Sequence, residues 1–155
     1  MPIKTQIWTV GSQPSQLKEC ILSSEQILED MIVSAPRVLS EEWMLIGRQE
    51  STGMGGRIDL LAIAPDASLV LIELKRDRTP REVVAQALDY ASWVEQLGAE
   101  DIAAIYKRFK KDADLAADFC QYFGLSLDED ALNQSHQIII VASGLDASTG
   151  CRTTF

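Results

Sequence analysis

The chain has 155 residues, 46% of them hydrophobic and 24% charged, enough apolar material for a real core in one soluble domain. No apolar run approaches the roughly 18 residues that cross a membrane, and "MPIKTQIWTV" lacks the continuous apolar stretch of a secretory signal. A net charge of −9 argues against a general nucleic-acid coat, which needs a basic surface, and the single His136 excludes a nuclease chemistry that needs several histidines.

In chain order, "IKTQIWTV" alternates weakly and reads as a peripheral first strand, and "GSQPSQ" as a loop. A helix opens at Ser23, which forms a capping-box pattern with Gln26, and Pro36 stops it after Ala35. Ile27, Leu28, Met31, Ile32 and Ala35 make its apolar stripe. "WMLIGRQ" reads as a strand and "STGMGG" as a turn; "RIDLLAIA" and "LVLIELK" are strands joined by "PDAS", which carries turn chemistry. Thr79, Pro80 and Glu82 mark the start of a second helix, with Thr79 as its cap, running to about Leu97 with Gly98 past its end. Helical stretches follow at about Glu100 to Phe109 and Asp112 to Phe123, the latter ending at Gly124. "QIIIVAS" has the composition of an interior strand, and "GLDASTGCRTTF" reads as a loop or frayed end. The expected class is α/β or α+β, as a single domain over 1–155: peripheral strand and loop at 1–22, core at 23–142, tail at 143–155. Cys20, Cys120 and Cys151 are odd in number and lack metal-ligand spacing, so reduced thiols in a cytoplasmic protein are expected.

Three charges interrupt the core strands. Glu73 and Lys75 are two apart and share a face. If Ile63 faces Leu69 across the turn, counting back by twos sets Asp59 opposite Glu73, with Cβ atoms about 5 Å apart. Two such carboxylates repel and are driven toward protonation; a divalent cation such as Mg²⁺ or Mn²⁺ removes that penalty. The competing account is an internal ion pair plus one spare acid, although buried ion pairs seldom stabilise a fold relative to apolar replacements. Gln86 and Tyr90 share a helical face with Val83, Trp93 and Leu97, so Gln86 needs a partner, either a backbone group or the acidic site. Glu25 lies at the rim of the first helix's apolar stripe, placed to face the site or to serve the helix dipole, while Glu29 is expected in solvent. The cluster Lys75, Arg76, Arg78 and Arg81 adjoins the charged strand; Lys107, Arg108, Lys110 and Lys111 read as a solvated face.

Asp59, thirteen residues, then Glu73-Leu74-Lys75 resembles the D…ExK core of the PD-(D/E)XK nuclease superfamily. Gln86 to Tyr90 resembles the Q-h-x-x-Y helix motif of its RecB-like branch. "SEQILEDMI", "GGRIDLLAIA", "LVLIELKRDR" and "VVAQALDYASWV" resemble the nuclease domain of NucS-type endonucleases, over roughly Ser24 to Trp93. The resemblance implies a restriction-endonuclease-like core, a central mixed sheet flanked by helices, and hydrolysis of a phosphodiester bond. It implies Mg²⁺ (or Mn²⁺) on Asp59, Glu73 and the Leu74 carbonyl, with Glu25 completing the acidic cluster. Lys75 would position the attacking water, and Gln86 and Tyr90 would hold the lysine and the scissile phosphate. Arg57, Arg76, Arg78 and Arg81 lie near enough to contact phosphates. Fewer than 25 residues precede the Glu25 helix, so the N-terminal DNA-binding domain of NucS-type enzymes is not expected, and their substrate specificity is not implied.

The expected function is a metal-dependent DNA endonuclease, structure-specific in repair or restriction. The alternative is a catalytically silent nuclease-fold module that binds nucleic acid or a partner protein. A homodimer is compatible with Trp8, Trp43 and the "IKTQIWTV" segment as an added sheet edge, and no membrane partner is expected.

Overall fold

The computed structural model of the chain describes residues 7–18, 22–53, 55–79 and 81–145, the side chains of 77–79, 81 and 143–145 excepted. The elements in order are β1 (Trp8–Thr9), β2 (Ser15–Gln16), α1 (Glu25–Ser34), a 3₁₀ turn (Pro36–Val38), β3 (Met44–Ser51), β4 (Arg57–Ile63) and β5 (Leu69–Thr79). Then come α2 (Arg81–Val94), α3 (Ala99–Phe109), α4 (Leu115–Phe123) and β6 (His136–Leu145).

The main sheet has the order β3-β4-β5-β6, antiparallel except for the parallel β5–β6 pair. That parallel pairing needs a crossover, which α2, α3 and α4 supply. Ile46, Leu61, Ile63, Leu69 and Leu71 face these helices, meeting Tyr90, Val94, Ile102, Ile105 and Phe119. Leu45, Leu60, Ala62, Val70, Ile72 and Leu74 form the other core with Ile32 of α1. The two inner strands β4 and β5 are apolar on both faces because both faces are covered. The architecture is the expected one, a mixed α+β fold with a central sheet flanked by helices. Gly47 lies where α3 crosses β3: a Cβ there would sit 2.9 Å from Ile105 Cγ2.

The β4–β5 hairpin has the expected register. Ile63 pairs with Leu69, and Ser68 closes the turn by donating its N–H and Oγ–H to Asp66 Oδ1 at 3.0 and 2.6 Å. Several boundaries differ. The cap of α1 is Ser24, whose Oγ accepts from Ile27 N–H at 3.3 Å, one residue later than expected. Thr79 ends β5, where parallel pairing with Leu145 holds it extended; Pro80 lies outside the described residues. Helix α2 stops at Val94, because Asn133 reaches in from the loop before β6 and donates to Val94 O at 2.7 Å and Leu97 O at 3.0 Å. Gly98 opens α3, its N–H bound to Asp101 Oδ2 at 3.0 Å. The last helix begins at Leu115 because Asp114 caps it, and it ends at Gly124 in a left-handed C-cap, φ 69°.

At the N-terminal end, among the described residues of the expected first strand, Trp8–Thr9 is extended. It pairs with Ser15–Gln16, inside the segment read as loop, to make a separate two-stranded sheet. The tail beyond Leu145 lies outside the described residues, as do Cys20 and Cys151; Cys120 is a free, exposed thiol. Among the described residues no helix is long and apolar enough to cross a membrane.

Candidate active site

The β4–β5 ladder closes pair by pair from Ile63–Leu69 up to Leu60–Ile72. One step further the same register would set Asp59 opposite Glu73, but the backbone pairing ends at Leu60–Ile72. There a side chain takes over: Asp59 Oδ2 accepts from Leu74 N–H at 2.8 Å. The strand interior thus opens at the two carboxylates, and the satisfied Leu74 amide offsets part of the cost of the break.

Glu73 is 1% exposed. Its Oε1 pairs with Lys75 Nζ at 3.0 Å, and its Oε2 is buried with no hydrogen-bond partner. Burial, then the charge of Asp59, pushes the Glu73 carboxyl up. Burial likewise raises Asp59, against the opposing pull of the Leu74 N–H, Lys75 and Gln49. For Lys75 burial works to lower the ammonium's pKa, but the bond to Glu73 and the nearby acids outweigh it and hold the group above its ordinary value.

The two acids of α1 exchange the places expected for them. Glu29, expected in solvent, is 4% exposed. Arg48 Nε donates to its Oε1 at 2.5 Å and Gln49 Nε2 to its Oε2 at 2.8 Å. Those partners, distant in sequence, decide which way the helix face turns. Glu25 is exposed, yet it reaches the site's mouth, where Oε1 accepts from Arg76 N–H at 3.0 Å and its charge adds to the field on Glu73 and Lys75.

Gln49 was not among the expected site residues. Its Nε2 also donates to Asp59 Oδ1 at 3.2 Å, joining α1 to β4. Period-two reading of "WMLIGRQ" identifies a strand and carries no signal for this residue.

Gln86 and Tyr90 do come together, but not around the lysine. Gln86 Nε2 donates to Tyr90 OH, which also accepts from Arg57 N–H at 3.1 Å. The Tyr90 ring packs so closely on Gly56 that a Cβ there would lie 2.3 Å from Cε1. The pair anchors the start of β4, the strand that carries Asp59. Arg57 is exposed; Arg76 lies beside Ser23 and Glu25, its Nη1 3.3 Å from Ser23 O. The side chains of Arg78 and Arg81 lie outside the described residues. In the second basic cluster, Arg108 Nη2 pairs with the buried Glu50 at 2.6 Å and Lys110 with Asp118 at 2.9 Å.

Among the described residues no three His, Cys, Asp or Glu side chains gather as a metal cage. Mg²⁺, however, is commonly bound by one or two carboxylates with waters and substrate phosphates completing its shell. Asp59 and Glu73 fit that donor set, and Glu73 Oε2, buried and without a hydrogen-bond partner, is an acceptor such an ion could use.

The model of the endonuclease NucS C-terminal domain matches residues 24–111, more than half of the chain and the whole of this site. The chain is similar in fold to a repair endonuclease from Pyrococcus abyssi, at 20% identity and a TM-score of 0.52 over 88% of this chain and 45% of that one. It is similar also to a structure described as an EndoMS–dsDNA2 complex, at 16% identity and a TM-score of 0.50 over 92% and 57%. The chain thus spans about half the length of these solved structures. None of the curated proteins compared with it matches. With its match running from the cap of α1 through α2 and α3, the chain belongs to the family of the endonuclease NucS C-terminal domain.

Proposed function

We propose that the chain is a metal-dependent endonuclease that hydrolyses phosphodiester bonds in DNA. One observation carries this: two carboxylates and an ammonium converge where the β4–β5 ladder opens, and one buried carboxylate oxygen, Glu73 Oε2, has no partner. A structural ion pair alone leaves that oxygen without a partner, whereas a bound cation would give it one. The family and the fold support the same reading.

Asp59 and Glu73 would hold Mg²⁺ or Mn²⁺, with the Leu74 carbonyl as a further ligand and Glu25 at the rim. A bound divalent ion polarises the phosphoryl oxygen and lowers the pKa of coordinated water. Lys75 donates hydrogen bonds to the attacking water and the phosphate. Tyr90 and Gln86 hold the β4 entrance in place. Arg57, Arg76, Arg78 and Arg81 contact flanking phosphates; few contacts suffice where arginine binds bidentately. Bases splayed or unpaired at a junction or mismatch are the substrate features in keeping with a structure-specific role in repair or restriction.

The test is cleavage of labelled single-stranded, duplex, mismatched, flapped and branched DNA with Mg²⁺ and with Mn²⁺, beside Asp59→Ala. Cleavage by the native chain and not by the variant is expected. Mn²⁺ binding without cleavage of any substrate would instead assign a silent nuclease-fold module. The same reading takes the chain as a homodimer through the β1–β2 hairpin, where Ile7, Trp8, Val10 and Leu17 are exposed; a monomer by light scattering at micromolar concentration overturns that part.

A further inference from the structure

Among the described residues four non-glycine positions have a left-handed φ. Ala67, Asp112 and Asn133 lie in turns. Gln49, φ 53°, lies inside β3. A left-handed residue within a strand is strained unless the surroundings over-determine it.

The consequence is a change of direction. Adjacent strand residues ordinarily point to opposite faces. Arg48 and Gln49 instead both reach Glu29 on α1, and the next residue, Glu50, turns to Arg108 on α3. The register sets Gln49 opposite Asp59, between the pairs Arg48–Leu60 and Glu50–Ile58. On β4 the alternation breaks at the same level: Ile58 joins the core cluster of Leu61 and Ile63 rather than that of Leu60.

We propose that Gln49 is a positioning residue for Asp59, a role that deepens the nuclease reading and rests on it. Its amide nitrogen carries two hydrogens and meets two acceptors, Glu29 Oε2 at 2.8 Å and Asp59 Oδ1 at 3.2 Å. With Leu74 N–H on Oδ2, both oxygens of Asp59 are anchored and the carboxylate plane is set. Glu29 is a fixed post for this strut, buried and clamped by Arg48, which also holds Asp30 at 2.5 Å. An arginine or lysine in place of Gln49 would neutralise Asp59; a neutral amide orients the group and leaves its charge for a cation. Cation-binding carboxylates are commonly held in this way by outer hydrogen bonds.

The test uses the full chain with Gln49→Leu, which removes both donors at similar volume. A second variant, Gln49→Asn, keeps an amide and tolerates the left-handed backbone but is one methylene too short to span both acids. Amide exchange at Leu74 reports Asp59 directly. In both variants it should quicken by about tenfold, the equivalent of one lost hydrogen bond, with exchange at Val70 and Leu71 unchanged. Mn²⁺ affinity, read by electron paramagnetic resonance, should fall about tenfold, and kcat should drop with KM held. Native-like Leu74 exchange in both variants overturns the proposal. A native chain that neither binds Mn²⁺ nor cuts DNA overturns the nuclease reading, while Leu74 exchange still decides whether Gln49 positions Asp59.

Discussion

Asp59 Oδ2 accepts the Leu74 N–H at 2.8 Å one step beyond the last β4–β5 backbone pair, Leu60–Ile72. The sheet is therefore held at this point by a carboxylate whose charge it disfavours: burial raises the Asp59 pKa, and Asp59 in turn helps raise Glu73. A carboxyl with a raised pKa binds its proton more tightly in the folded chain. Its stabilising share is present below the unfolded pKa and is lost as pH rises through the folded value. In a Gln49→Leu background, where no donor opposes the new amide nitrogen, Asp59→Asn keeps an oxygen for Leu74 and removes the charge. Without metal, it should melt a few degrees above its Gln49→Leu parent at about pH 7 and lose that advantage as pH falls toward about 4. Thermal scans in EDTA across that range check it; a lower melting point at neutral pH is the contrary result.

If the proposed metal reading holds, the same repulsion makes the stability of the fold respond to a divalent ion. A divalent ion that binds only the folded chain adds about 2.7 kcal/mol at a hundredfold excess over its Kd. Mg²⁺ or Mn²⁺ should raise the melting temperature of the native chain and leave Glu73→Gln unmoved. No shift for the native chain at millimolar Mn²⁺ would remove the ion from the site.

Gly56 and Tyr90 are in contact because glycine has no side chain. A Cβ at residue 56 would meet Tyr90 Cε1 at 2.3 Å and the hydroxyl at 2.8 Å. Gly56→Ala should cost about 1–3 kcal/mol through overpacking. In a Tyr90→Leu background the same change should cost less, because the ring it strikes is gone. Urea titrations of the double-mutant cycle measure the coupling; additive costs would refute the contact.

Asn133 serves the end of α2 from 36 residues beyond Leu97, with φ 58° and both Nδ2 donor bonds made, while its Oδ1 is buried without a hydrogen-bond partner. Asn133→Gly accepts the backbone but loses the bonds, at about 1–3 kcal/mol. Asn133→Ala loses both and is strained at that φ, so the order of stability should be Asn, Gly, Ala. Chemical denaturation of the three chains ranks them.

Much of this site was legible in the order of residues. Two apolar runs around "PDAS" determine a hairpin, and a side-chain period of two carries the register from Ile63–Leu69 to Leu60–Ile72, one step short of Asp59 and Glu73. The same alternation puts Lys75 beside Glu73. These are local relations, set by sterics within a few residues of one turn. Which acid of α1 turns inward is not local. Glu25 and Glu29 are one helical turn apart at the edge of one stripe, and only Arg48 and Gln49, on a strand beyond the helix, draw Glu29 into the interior. Tyr90 could be assigned to a face but not to Arg57 N–H, a partner 33 residues away. The left-handed turn of Gln49 has no signature in its own segment, because the acceptors that make it worthwhile come from α1 and β4. Local periodicity determined the elements and brought the two carboxylates near each other. Tertiary structure decided which polar groups brace them, since a buried donor is satisfied by whatever acceptor the fold brings to it, at any distance along the chain.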